Sequence, residues 1–177
     1  MRILINAGHG GNDCGAVGKK GLKESFVNLN VAKLVKKYLN DKNISCVVFQ
    51  QEKSLNEVIN FCNTNKFDFG VSIHCNASID RQANGIETLY YLTSKYGKKL
   101  ADLIQQELVE TTHLKDRGIK PRSDLGFLKR TNKVCVLVEC AFISNEKEEE
   151  LLKNNYSLFS QAITRGIVKF IENEDND

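Results

Sequence analysis

With 177 residues, 41% of them hydrophobic and 27% charged, the chain can fill one core and is too short for two, so a single domain is expected. The formal charge is +3, and the Lys and Arg residues are scattered without a basic stripe interleaved with aromatics, which argues against nucleic acid as a partner. The chain opens on a strand with no apolar signal segment and has no run long enough to span a membrane, so membrane insertion is not expected.

Residues 2–6 read as a buried strand. Half of the 12 glycines then fall between Gly8 and Gly21. From Glu24 to Leu39 the apolar residues Val27, Val31, Leu34, Val35 and Tyr38 recur at helical spacing, with Lys33, Lys36 and Lys37 turned away. Residues 44–49 read as a second strand. Ser54 and Glu57 form a capping box opening a helix that carries Leu55, Val58, Ile59 and Cys62 on one face. Residues 67–74 are a third strand and 76–84 a polar loop. Residues 85–92 alternate as a strand near a sheet edge would, and a long helix over 95–112 buries Leu100, Leu103, Ile104 and Leu108. The stretch 115–130, with the single proline Pro121, reads as loop with at most one short strand. Residues 134–139 are the last central strand. A short acidic helix over 146–152 and a terminal helix burying Phe159, Ala162, Ile163, Ile167 and Phe170 complete a domain over 1–171, and 172–177 read as a polar tail or linker stub. Strands alternating with helices predict an α/β fold, a twisted, mostly parallel sheet with helices on both faces. The six cysteines lie mostly inside apolar runs with no C-x-x-C pair and read as small buried hydrophobes.

The chain has only 3 His, and two of them stand where apolar runs stop: His9 after residues 3–5 and His74 after 69–73. Glu139 likewise follows five apolar residues, 134–138, where a carboxylate needs a metal, a donor or a substrate beside it. If these runs are parallel strands, the three side chains meet at the carboxyl edge of one sheet, where open α/β sheets bind ligands. Glu24, just past the glycine-rich loop, completes the inventory of a catalytic zinc site with a carboxylate base. The glycine loop itself fails the dinucleotide fingerprint because Asp13 occupies the third glycine position, and no Gly-Lys-Ser/Thr closes a phosphate loop. His113, among Thr112, Lys115 and Asp116, is expected to be solvated. Cys75 and Cys140 are turned away from the site by strand alternation, which disfavours cysteine catalysis.

Together, residues 6–16, with the run Gly8-His9-Gly10-Gly11, then Gly21 to Glu24, Val71 to Asn76, Gly85 to Glu87 and Leu137 to Asn145 resemble the zinc-dependent N-acetylmuramoyl-L-alanine amidases in order and over essentially the whole chain. The resemblance implies one Zn2+ held by His9, Glu24 and His74, with Glu139 as the catalytic carboxylate. It implies hydrolysis of the amide joining N-acetylmuramic acid to L-alanine in peptidoglycan. Asn76 and Glu87 are the expected substrate contacts, and Asn76 reads equally as a loop cap. The pattern departs from the family at Cys75, Lys129 and Val134, and none of these removes a ligand. Two other readings stand beside this one: a non-catalytic zinc or wall-binding module, and a zinc carboxypeptidase on the same polymer. The expected setting is the bacterial cell wall, reached without a recognisable signal peptide, as by a phage lysin or an excised catalytic domain, and the expected state is a monomer.

Overall fold

A computed structural model describes residues 1–52 and 54–174 of the protein. The described strands are β1 (Arg2–Ala7), β2 (Ser45–Gln50), β3 (Phe69–Asn76), β4 (Ile86–Tyr91), β5 (Asp116–Arg122) and β6 (Val134–Phe142). The helices are α1 (Glu24–Asn40), α2 (Leu55–Thr64), α3 (Lys95–Thr112), α4 (Gly126–Arg130), α5 (Glu146–Asn154) and α6 (Tyr156–Glu174). The strands form one sheet in the order β2-β1-β3-β6-β4-β5. β1, β2, β3 and β6 run parallel, and β4 runs antiparallel to β6 and parallel to β5. Among the described residues no helix is long and apolar enough to cross a membrane.

Two cores line the two faces. One joins Ile3, Ile5, Val71, Ile73, Val136 and Val138 of the sheet to Val27 and Val31 of α1, Leu100, Ile104 and Leu108 of α3, and Phe159 and Ile163 of α6. The other, smaller core joins Leu4, Cys135, Leu137 and Leu89 to Val58 and Cys62 of α2 and Phe127 and Leu128 of α4. Adjacent strand residues therefore alternate between helical layers, as a sheet buried on both sides requires.

Several expectations need correction. β3 and β6 run two and three residues past the predicted ends at His74 and Glu139, with a register shift between His74 and Asn76. β4 does lie near an edge, one strand in, but the stretch expected to be mainly loop supplies the edge strand β5, which covers it, and then α4. β5 escapes the periodicity because it is an outer strand with a half-exposed pattern, and such a strand tolerates Pro121. α6 continues through Glu174, three residues into the segment read as a tail, and residues 175–177 lie outside the described part. On α2, Leu55 is 37% exposed while Val58, Ile59 and Cys62 are buried, and Ser54 caps the helix by accepting from the Glu57 N–H. Five of the cysteines are buried and Cys14 is half-buried, all as free thiols.

Candidate active site

β1, β3 and β6 are sheet neighbours, so the three expected strand-end residues arrive side by side. His74 and Glu139 are direct cross-strand partners in the β3–β6 register. His9 follows β1 in a loop whose backbone turns sharply, with φ of 61° at His9 itself and 66° at Gly15. A left-handed φ at a non-glycine residue is costly and persists where the surroundings enforce it. The glycines allow the close wrapping: a Cβ on Gly8 would stand 2.1 Å from His74 Cε1, and one on Gly15 would stand 2.6 Å from Glu24 Oε2.

Glu24 opens α1 and is 4% exposed, with its carboxylate aimed into this edge. Its Oε2 accepts the Ala16 N–H at 2.8 Å, and its Oε1 accepts the Cys75 N–H at 3.1 Å. The same Oε1 lies 3.1 Å from His74 Nδ1 and 3.4 Å from His9 Nε2. One donor atom from each of His9, Glu24 and His74 lies within 4.8 Å of the others. Asp13 accepts from His9 Nδ1 at 2.8 Å, which places the ring proton there and leaves Nε2 facing Glu24.

The electrostatics reflect this crowding. Hydrogen bonding to Glu24, aided by Asp13 and opposed by burial, raises the His9 pKa to about 9. Burial pushes the Glu24 carboxyl up, but hydrogen bonds with His74 and His9 outweigh it and hold the group well below the usual carboxylate range. Glu139 behaves oppositely. Burial, opposed by His74 and reinforced by Glu24 and Glu87, raises its pKa to about 7. Its Oε2 is buried with no hydrogen-bond partner. Two imidazoles and a carboxylate converging on one point suit zinc, and an unpartnered carboxylate oxygen beside them suits a reacting group.

The remaining expected residues separate. Glu87 stands opposite Glu139 on β4. Asn76 donates to Glu87 Oε1 at 2.9 Å and its own Oδ1 accepts the Ala77 N–H, so it also caps the loop. Glu87 Oε2 accepts from Arg117 Nε at 2.8 Å, a partner not anticipated from the sequence. His113 is exposed at the left-handed cap of α3. Cys75 and Cys140 are buried in the core on the α1 side, where burial pushes both thiols up, so neither is available as a thiolate. Asp13 lies within the glycine motif, but its contact with His9 is not anticipated from the sequence; its position four residues on is the available signal. A cleft of about 1170 Å³ lined by Lys19, Lys20, Arg81 and Glu146 contains none of the converging residues. Its Lys19 and Lys20 already pair with Glu146 and Glu150.

A family model described as N-acetylmuramoyl-L-alanine amidase matches residues 3–169. The N-acetylmuramoyl-L-alanine amidase LytC of Bacillus subtilis is 36% identical over 95% of this chain and 35% of its own length, so the chain spans about a third of that relative. The endolysin of Bacillus phage SPP1 is 34% identical over 86% of this chain and 59% of its own. The crystal structure of an N-acetylmuramoyl-L-alanine amidase from Clostridium difficile 630 superposes with a TM-score of 0.91 at 31% identity, covering 97% of this chain and 96% of that one. With a family match over nearly its full length, the chain belongs to the N-acetylmuramoyl-L-alanine amidase family.

Proposed function

We propose that the chain hydrolyses the amide bond between N-acetylmuramic acid and L-alanine in peptidoglycan, with one zinc ion held by His9, Glu24 and His74 and with Glu139 handling the proton. The observation that carries this reading is Glu139 itself: a carboxylate whose buried Oε2 has no partner, beside a converging His-Glu-His donor set. When bound, zinc supplies a Lewis acid that polarises a carbonyl and acidifies water.

The chain's own groups fit the rest of the reaction. Glu139, with its pKa raised to about 7, can hold a proton at Oε2 and give it up again near neutral pH, as a general base and then acid must. Asp13 fixes the His9 ring, and the Ala16 and Cys75 N–H groups fix the Glu24 carboxylate. Asn76 and Glu87, held to each other beside Glu139, are the proposed substrate-facing pair, with Arg117 anchoring Glu87. A monomer is the proposed working unit.

The test is end-group analysis of purified bacterial walls after digestion. The expected products are free α-amino groups of L-alanine, with no new reducing sugar ends and no free D-alanine. Reducing ends would indicate a glycosidase, which ordinarily uses two carboxylates flanking the sugar bond. Free D-alanine would indicate a carboxypeptidase, and tight wall binding without products would indicate a non-catalytic module.

A further inference from the structure

Asn28 lies one helical turn below Glu24 on α1, so the two side chains share a face. Its neighbours on the buried side are Val27, Val31 and Val35, yet Asn28 is a polar amide with 0% exposure. A buried amide needs its donors and acceptor matched, and the partners chosen here are not generic. Its Nδ2 donates to the Gly8 carbonyl at 2.9 Å, the residue immediately before His9. The same nitrogen stands 3.4 Å from Glu24 Oε1. Its Oδ1 accepts from the Cys75 thiol at 3.6 Å, the residue immediately after His74.

We propose that Asn28 is a positioning residue for the metal ligands: a single buried amide that ties the backbone before His9, the carboxylate of Glu24 and the side chain after His74 into one frame. The inference rests on the reading of His9, Glu24 and His74 as zinc ligands. The geometry explains why the position is polar. α1 packs against β1 and β3, and those strands deliver His9 and His74. An aliphatic residue here would fill the same space but leave the Gly8 carbonyl and one Glu24 contact unmatched, so the three ligand-bearing segments could settle independently. The Cys75 thiol, itself buried, serves in this frame as a donor to Asn28 Oδ1. Groups that orient metal ligands from outside typically contribute about 10–100-fold in metal affinity.

The test measures zinc Kd by chelator competition for the full chain, its Asn28→Leu variant and a control, Thr88→Val. Thr88 is equally buried, and its hydroxyl donates to Gln105 Oε1 at 2.9 Å, away from the ligands. Asn28→Leu is expected to raise the zinc Kd about 10–100-fold while the control leaves it unchanged, although both lower the melting temperature. Asn28→Ser, which keeps a small polar group too short to span the three partners, is expected to show the same direction of change and serves if the Leu variant fails to fold. An unchanged Kd in folded Asn28→Leu or Asn28→Ser, an equal loss in Thr88→Val, or failure of both Asn28 variants to fold would overturn the proposal. Unchanged zinc binding in a folded variant with His9 and His74 both replaced by Ala would instead overturn the ligand assignment beneath it.

Discussion

Substituting Gly8 by Ala isolates how tightly the backbone is packed around His74. The added Cβ would stand 2.1 Å from Cε1, 2.3 Å from Nε2 and 2.7 Å from Nδ1 of the imidazole. Non-bonded carbons prefer about 3.5–4.0 Å, so the ring or the loop must retreat by roughly 1.5 Å. The loop has little freedom to do so, because the Gly8 N–H donates to Ile73 O at 3.0 Å on the strand that carries His74. The imidazole is therefore the part that moves. Overpacking of this kind costs about 1–3 kcal/mol of stability, and a displacement of about 1 Å in a reacting constellation costs about 100-fold in rate. Gly21→Ala is the matched control: its φ is 85° and nothing lies within 4 Å of the new Cβ, so it meets only a backbone penalty of about 1–2 kcal/mol. Zinc affinity, thermal melting and initial rate on cell walls are measured for both. Gly8→Ala is expected to lose zinc affinity and rate while Gly21→Ala loses only stability. Parental zinc affinity and rate in Gly8→Ala, or equal zinc loss in both, would refute the packing argument.

Three further outcomes are expected. The metal-free protein should lose stability as pH rises, because the His9 pKa is raised above 6.5: the contribution is fully present below about 6.5 and is lost as pH rises through about 9, as thermal melts with and without chelator across that window would show. Over the same window zinc binding should tighten with pH and release protons, which calorimetry in buffers of different ionisation enthalpy would detect. Glu148→Ala should destabilise the fold by about 2–4 kcal/mol in denaturant titration, because the buried carboxylate accepts the Gly85 N–H at 2.7 Å and the Phe142 N–H at 2.6 Å and both would be left unmatched.

The parts of this molecule legible in the sequence are those where one residue type or one period carries the information. Three largely apolar runs mark β1, β3 and β6, and two of only three histidines stand at or just past their predicted ends. What stays hidden depends on neighbours. Alternation in β4 suggests one covered face, whereas Thr88, Leu89 and Tyr90 are all buried, and it does not say which strand lies beside it; β5 emerges only from its pairing with β4, at the end of the sheet. Glu148 and Glu149 sit on a helix that reads as a polar surface, and Asn28 interrupts the apolar stripe of α1, yet each is buried against backbone groups supplied from other parts of the chain. Asp13 follows the same rule: its side chain acquires meaning only when the loop folds it back onto His9.

The proposed division of labour gives proton transfer to Glu139 and the metal to His9, Glu24 and His74. It is tested most directly by the rate at which Glu139→Gln, verified by elemental analysis to carry zinc, releases L-alanine amino groups from purified walls. The amide fills the same space but cannot accept a proton, so a loss of about 10²–10⁴-fold with zinc content unchanged is the predicted result. A zinc-loaded Glu139→Gln protein that releases L-alanine ends at the parental rate would contradict it.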